Sequence, residues 1–202
     1  MYLDVIFPAS GDAIPTDHAY PLYAALSRIV PEFHQESCPL RFSSITGVAD
    51  SGGQLQLTPH SHLRVRLPQD QVKVVLPLAG KRLLLGDVGI RLGVPALRTL
   101  EPATSLVARL VTFKNAETPE QFLATARTKL AELGVSGEPQ LPIHLDGGRA
   151  GEPKRRVLRI KDVAIVGYSL LVSELSASDS IKLQESGLGG RTKMGCGFFL
   201  PV

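Results

Sequence analysis

The chain has 202 residues, 44% of them hydrophobic, and a formal net charge of +3. This is enough apolar material for one compact domain or two small ones, and it excludes an intrinsically disordered chain. The small positive excess supports a local anion-binding patch and excludes a binder of the histone kind, whose whole surface is basic. Two cysteines, Cys38 and Cys196, make no disulfide framework and fit a reduced, cytoplasmic setting. Neither they nor the scattered histidines have tetrahedral zinc spacing, so no metal and no cofactor is expected. The first residues lack the basic start and long apolar run of a signal peptide, and no apolar run reaches membrane-spanning length, so no membrane association is expected.

Residues 2–8 are short and β-prone and predict a strand. After a loop over 11–16, Thr16 or Asp17 can cap a helix on which Leu22, Ala25, Leu26 and Ile29 recur at helical spacing. Pro31 stops it, and a further turn follows over 32–36. Residues 40–46 predict a strand and 47–53 a turn. His62, Arg64 and Arg66 alternate with Leu63, Val65 and Leu67, the signature of a half-buried strand. A short helix follows from Pro68 to about Leu78, and the strands 81–85 and 88–92 close a hairpin around Gly86-Asp87.

A second round starts with a strand over 106–113. Thr118-Pro119-Glu120-Gln121 is a helix start with proline in its first turn. Phe122, Leu123, Ala126, Leu130 and Leu133 form its apolar stripe, and Gly134 ends it. Strands are predicted over 140–145, 155–160 and 163–171, with a flexible tip at 146–151. A helix over 176–184, a glycine-rich loop and a final strand at 198–200 complete the chain. The order β-α-β-β-α-β therefore occurs twice, over residues 1–98 and 105–202. This predicts an α+β protein of tandem ferredoxin-like (RRM-like) units with a C-terminal glycine-rich loop. The fold alone does not decide function. With 5% aromatic residues and no tryptophan, any RNA affinity would come from phosphate contacts and duplex shape more than from base stacking.

The loop is the densest functional signal. Gly187, Gly189, Gly190, Gly195 and Gly197 surround Arg191 and Lys193. Successive amides in such a loop can form a nest for phosphate oxygens, and the two cations favour an anion. The P-loop order Gly-x-x-x-x-Gly-Lys-Ser/Thr is absent, so the reading is a cradle for a polymer backbone; a glycine-rich hairpin without a ligand is the plain alternative. A second basic group runs through Arg149, Lys154, Arg155, Arg156, Arg159 and Lys161, and either enters the groove of a structured RNA or is a solvated hairpin. Among the histidines, His34 follows the first helix at an accessible place, and His18 opens that helix two residues before Tyr20. Tyr20 and Tyr23 lie on the same helix, where either could orient a phosphate or protonate a leaving oxygen, or Tyr23 could simply be core.

These residues together resemble a known family: the CRISPR-associated endoribonucleases, the sixth Cas family of the RAMP superfamily, which cut the repeats of precursor guide RNA. The resemblance rests on the glycine loop from Gly187 to Gly197, on the helix from Asp17 to Leu26, and on Pro31-Glu32-Phe33-His34. It implies two ferredoxin-like halves and a metal-independent attack of a ribose 2′-hydroxyl on the adjacent phosphate. The products would be a 2′,3′-cyclic phosphate and a 5′-hydroxyl. By position His34 matches the family's catalytic histidine and Tyr20 an active-site tyrosine of some members. The lysine some members place after the histidine is missing; Arg41 is the nearest cation, an electrostatic aid but no proton shuttle, and His18 is the rival base. The implied partners are CRISPR repeat RNA, as precursor and mature guide, and other Cas subunits. Two competing readings are a non-cleaving RAMP subunit that binds guide RNA and an unrelated nucleotide-binding enzyme.

Overall fold

The computed structural model describes residues 1–35, 37–50 and 52–202. The chain divides into two compact units, Met1–Thr99 and Leu100–Val202. No helix among the described residues is long and apolar enough to cross a membrane.

Unit 1 runs β1 (Tyr2–Ser10), β2 (Ala13–Pro15), α1 (Ala19–Ile29), a 3-10 turn (Pro31–His34), β3 (Arg41–Phe42), β4 (Val48–Ala49), β5 (Gln54–Gln56), β6 (His62–Pro68), α2 (Val72–Val75), β7 (Arg82–Leu85), β8 (Val88–Leu92) and β9 (Ala96–Thr99). Its main sheet has the order β3-β6-β1-β8-β7, with β9 also on β1. Every pairing is antiparallel. Strand residues alternate between faces, and β1 and β6 use that alternation fully. Leu3, Val5, Phe7, Leu63, Val65 and Leu67 enter one core with Leu22 and Leu26 of α1, Phe33 and Phe42. Burial of such a side chain contributes about 1.5–3 kcal/mol. Phe33 and Phe42 meet edge to face with ring centroids 5.9 Å apart, which fixes the turn carrying His34 onto β3.

The other face of the same strands carries charge. Asp4 stands opposite Arg66 in the β1–β6 register. Its two oxygens accept from Arg66 Nε at 2.7 Å and Nη2 at 3.0 Å. Both side chains are buried, Asp4 at 3% and Arg66 at 1% exposure.

Several predicted elements differ from the structure. The strand expected over 40–46 is regular only at Arg41–Phe42. Ser43 and Thr46 still donate to the carbonyls of Arg64 and His62, but the amide of Ile45 donates to the His18 ring instead of a strand. The predicted turn over 32–36 is the 3-10 turn Pro31–His34, and Glu36 lies outside the described residues. The turn predicted over 47–53 contains β4, which pairs with β5; β5 in turn pairs with β2 to form a small three-stranded sheet, and Ser51 of this segment lies outside the described residues. The helix after Pro68 is one α-turn between two 3-10 turns, because Pro77 has no amide to continue an α-helix. α1 is entered through His18, which makes no side-chain cap, rather than through a Thr16 or Asp17 cap.

Unit 2 runs β10 (Leu106–Val111), α3 (Pro119–Leu133), β11 (Glu138–Gln140), β12 (Arg155–Ile160), β13 (Val163–Ser173), α4 (Ala177–Ser186) and β14 (Phe199–Pro201). Its sheet has the order β11-β13-β10-β14, with β12 on the outer half of β13. α3 begins with a complete capping box between Thr118 and Gln121 and ends at Gly134 in the left-handed conformation. Phe122, Ala126 and Leu130 turn into the core with Leu106, Tyr168, Leu170 and Phe199. The strand predicted over 140–145 is β11 at 138–140; beyond Pro142 only the isolated bridges Ile143–Pro153 and His144–Ala150 form. The predicted flexible tip is a hydrogen-bonded loop built on a 3-10 turn at Gly147–Arg149.

The buried Asp4–Arg66 pair yields a first prediction. Asp4→Ala leaves a guanidinium buried without its carboxylate and lowers the unfolding free energy by about 3–5 kcal/mol in chemical denaturation. Asp4→Leu combined with Arg66→Met recovers most of that loss, because the cost lies in the orphaned charge.

Candidate active site and nucleic-acid interface

α1 and the turn after it bring two titratable side chains together. Tyr23 sits near the middle of α1 (Ala19–Ile29), half-buried, with its ring against the core. The chain reverses at Val30-Pro31, and Phe33 anchors the 3-10 turn, leaving His34 exposed. The Tyr23 hydroxyl lies 3.0 Å from His34 Nδ1, and the rings meet edge to face with centroids 5.5 Å apart. Tyr23 is the hydrogen-bond partner of the His34 ring among the described residues. Two proton arrangements satisfy this bond. If Nδ1–H donates to the phenol oxygen, Nε2 is a free base; if the phenol donates to Nδ1, Nε2 carries the proton. The pair can therefore present either an acceptor or a donor at one exposed nitrogen.

The other residues expected here fall elsewhere. Tyr20 is half-buried one turn before Tyr23, and the bond to His34 belongs to Tyr23. His18 is 1% exposed. Its Nε2 accepts from the Ile45 amide at 3.0 Å, so its Nδ1 donates to the Pro15 carbonyl at 2.8 Å. Both nitrogens of a buried neutral ring are thus bonded to backbone, and His18 is a clip between the start of α1 and the segment beside β6, not an accessible base. Arg41 precedes the core residue Phe42 on β3, so it points to the opposite face of the sheet from Phe33 and α1. Burial pushes its pKa below the ordinary guanidinium value; nearby Tyr2 opposes the shift and Arg66 adds to it.

In unit 2 the glycine loop lies on the end of β10. Gly190 donates to the Thr112 carbonyl, and Gly197 to that of Leu110, each at 2.8 Å. The amides of Gly187, Met194 and Gly195 donate to Leu183, Arg191 and Thr192. The expected phosphate nest of glycine amides is therefore largely spent on the fold. Two glycines are required by contact: at Gly197, φ +65°, a Cβ would be driven into the Leu188 backbone, and at Gly189, φ +86°, it would lie 2.7 Å from the Thr112 carbonyl oxygen. What the loop presents outward is Arg191, exposed in the left-handed conformation ahead of the 3-10 turn Thr192–Met194, with half-buried Lys193 in that turn.

Lys154, Arg155 and Arg156 do not share a face. The Lys154 backbone is bonded to Pro142 and Ser169. Arg155 is exposed on one side of β12 with Val157 and Arg159, while Arg156 lies on the other side with Leu158, its Nε buried without a hydrogen-bond partner among the described residues. The β12–β13 turn is at Lys161-Asp162, away from the 146–151 loop.

Two α+β units with this strand order define a tandem ferredoxin-like protein, and the comparisons name the family. A family model described as Cas6 Crispr matches residues 3–202. The CRISPR-associated endonuclease Cas6 of Myxococcus xanthus (strain DK1622) is 40% identical over 201 residues, covering 100% of this chain and 82% of that protein. The chain belongs to the Cas6 family. Among solved structures, a RAMP protein described as binding different RNA substrates superposes with a TM-score of 0.65 at 14% identity, covering 100% of this chain and 99% of that one. A Cas6-related protein from Pyrococcus furiosus does so with a TM-score of 0.64 at 17% identity, covering 100% and 98%. At these identities the two structures establish the shared fold.

The loop geometry sets a second prediction. Gly197→Ala adds a methyl group against the Leu188 backbone at a left-handed residue, and thermal unfolding should show a loss of about 2–5 kcal/mol, combining overpacking with backbone strain. Gly148→Ala, where a Cβ meets nothing within 4 Å, should leave the unfolding transition in place.

Proposed function

We propose that this protein is a metal-independent endoribonuclease that cuts CRISPR repeat RNA, with His34 as its proton-transfer group. The observation that carries the reading is the exposed imidazole hydrogen-bonded to Tyr23 at 3.0 Å. Membership in a family whose Myxococcus xanthus relative is named a CRISPR-associated endonuclease supports it. The O2′–phosphorus bond forms as the phosphorus–O5′ bond breaks. His34 Nε2 takes the 2′-hydroxyl proton or delivers one to the leaving 5′-oxygen, and the products are a 2′,3′-cyclic phosphate and a 5′-hydroxyl. Tyr23 holds the ring through Nδ1 and sets which nitrogen carries the proton. Proton transfer by a positioned side chain contributes about 10²–10⁴-fold to rate. Arg191 and Lys193 on the glycine loop, with exposed Arg155 on β12, supply cations for the RNA backbone.

The decisive assay incubates repeat RNA with the protein in EDTA and identifies the new ends. Cutting to a 2′,3′-cyclic phosphate is expected; tight binding without cutting would instead make this a non-cleaving guide-RNA subunit. His34→Ala should slow single-turnover cutting by about 10²–10⁴-fold, and Tyr23→Phe should slow it less while displacing the pH–rate profile. An unchanged rate in His34→Ala removes His34 from the chemistry. Arg191→Ala with Lys193→Ala should weaken RNA binding and reduce the slope of log affinity against log salt by roughly 1–2, the contribution of one or two phosphate contacts.

A further inference from the structure

His18, Tyr23 and His34 belong to one closed circuit of chain. From His18 the backbone runs through α1 with Tyr23, the 3-10 turn with His34, and β3. It returns at Ile45, whose amide donates to His18 Nε2 at 3.0 Å across a separation of 27 residues. Both members of the imidazole–phenol pair thus lie inside a loop that one ring nitrogen closes. The other bond of that ring, from Nδ1–H to the Pro15 carbonyl at 2.8 Å, spans 3 residues and holds only the entry to α1.

The closure answers a need of the fold. Ser43 and Thr46 donate their amides to the β6 carbonyls of Arg64 and His62, and between them the Ile45 amide turns to the His18 ring. Ile45 is 3% exposed, so without the ring its N–H would be a buried donor left unsatisfied. A neutral imidazole offers one donor and one acceptor on a rigid frame, and the Pro15 carbonyl, by taking the Nδ1 proton, leaves Nε2 to accept. The ring is itself 1% exposed and has no surface to offer a substrate.

Both arms of the circuit are stiff. On one, the Leu22 amide donates to the His18 carbonyl at 2.8 Å and starts the helix that carries Tyr23. On the other, Ile45 follows Phe42, which meets Phe33 beside His34. Leu22, Phe33, Phe42 and Ile45 share one core. Opening the circuit at Ile45 therefore frees the arm of His34 from the arm of Tyr23. We propose that His18 is a positioning residue for the Tyr23–His34 pair, and that its bond to the Ile45 amide, more than its bond to Pro15, sets the rate of cutting. The inference rests on the reading of His34 as the proton-transfer group. A misplacement of about 1 Å at a reacting group costs on the order of 10²-fold in rate.

Two replacements separate the two bonds. In His18→Asn the amide nitrogen can stand where Nδ1 stood and keep Pro15; in His18→Gln the amide oxygen can stand where Nε2 stood and keep Ile45. Single-turnover cutting of labelled repeat RNA, with each protein in saturating excess and below its unfolding transition, reads the chemical step apart from affinity. His18→Asn should cut about 10–10²-fold more slowly, and His18→Gln should stay near the parent rate. A merely structural role would lower the unfolding temperature of both variants and leave both rates alone. The ¹⁵N imidazole NMR signals of His34, assigned by their loss in His34→Ala, read the geometry without RNA. His18→Asn should move them toward their positions in Tyr23→Phe, and His18→Gln should leave them in place. In a parent that cuts, an unaltered rate or unaltered His34 signals in folded His18→Asn overturns the proposal, as does an equal loss in His18→Gln. Where His18→Asn does not fold, His18→Gln decides: parent rate and signals uphold the proposal, and their loss overturns it. A parent that does not cut removes the nuclease reading, and the His34 signals then decide by themselves whether His18 positions the pair.

Discussion

The register between β1 and β6 is the constraint from which unit 1 follows. Pairing Val5 with Val65 sends Leu3, Phe7, Leu63 and Leu67 to the helix side, and it places Asp4 opposite Arg66 on the other. A slip of one residue would exchange the faces, placing a carboxylate and a guanidinium against α1 and the aliphatic residues on the far side. The buried ion pair makes that alternative costly, because each charge is tolerated only where its partner meets it. The apolar set on one face and the charged pair on the other thus enforce the same alignment. β3 inherits it: Phe42 is sent to Phe33 beneath the 3-10 turn, and Arg41 to the charged face beside Arg66.

The imidazole–phenol pair is a product of this packing more than of either side chain's own preference. α1 is held at its start by the His18 ring and at its end by the turn that Phe33 fixes. His34 is therefore exposed but not loosely placed. It occupies a short turn whose neighbouring residue is fully buried, which is how an accessible group is kept in register with the helix beside it.

Much of this was legible in the chain and some was not, for physical reasons. The alternation at 62–67, the capping box at Thr118 and the left-handed Gly134 are local signals, and local geometry obeys them. β9, β4 and β5 are strands of two to four residues, mostly exposed, whose existence depends on partners far along the chain. Helical spacing places Tyr20 and Tyr23 three residues apart and cannot say which of them the chain reversal at Pro31 will face. The sequence leaves His18 open as a rival base because Ile45, whose amide occupies its Nε2, is far along the chain and meets the ring only once the chain has folded. The alignment of Arg41, Arg66, Asp4 and Arg98 across the sheet is invisible without the register, since these residues have no proximity until three strand pairs are aligned.

The glycine loop has a consequence for descent. Gly197 is bare because the Leu188 backbone occupies the space beside it, and Gly189 because the end of β10 does. Those demands come from closing unit 2 and persist whether or not an imidazole is present in unit 1. A lineage that abandoned cleavage would still be held to the same bare positions by its own folding. The signature thus sorts chains by architecture, and by itself says nothing of which of them have the chemistry.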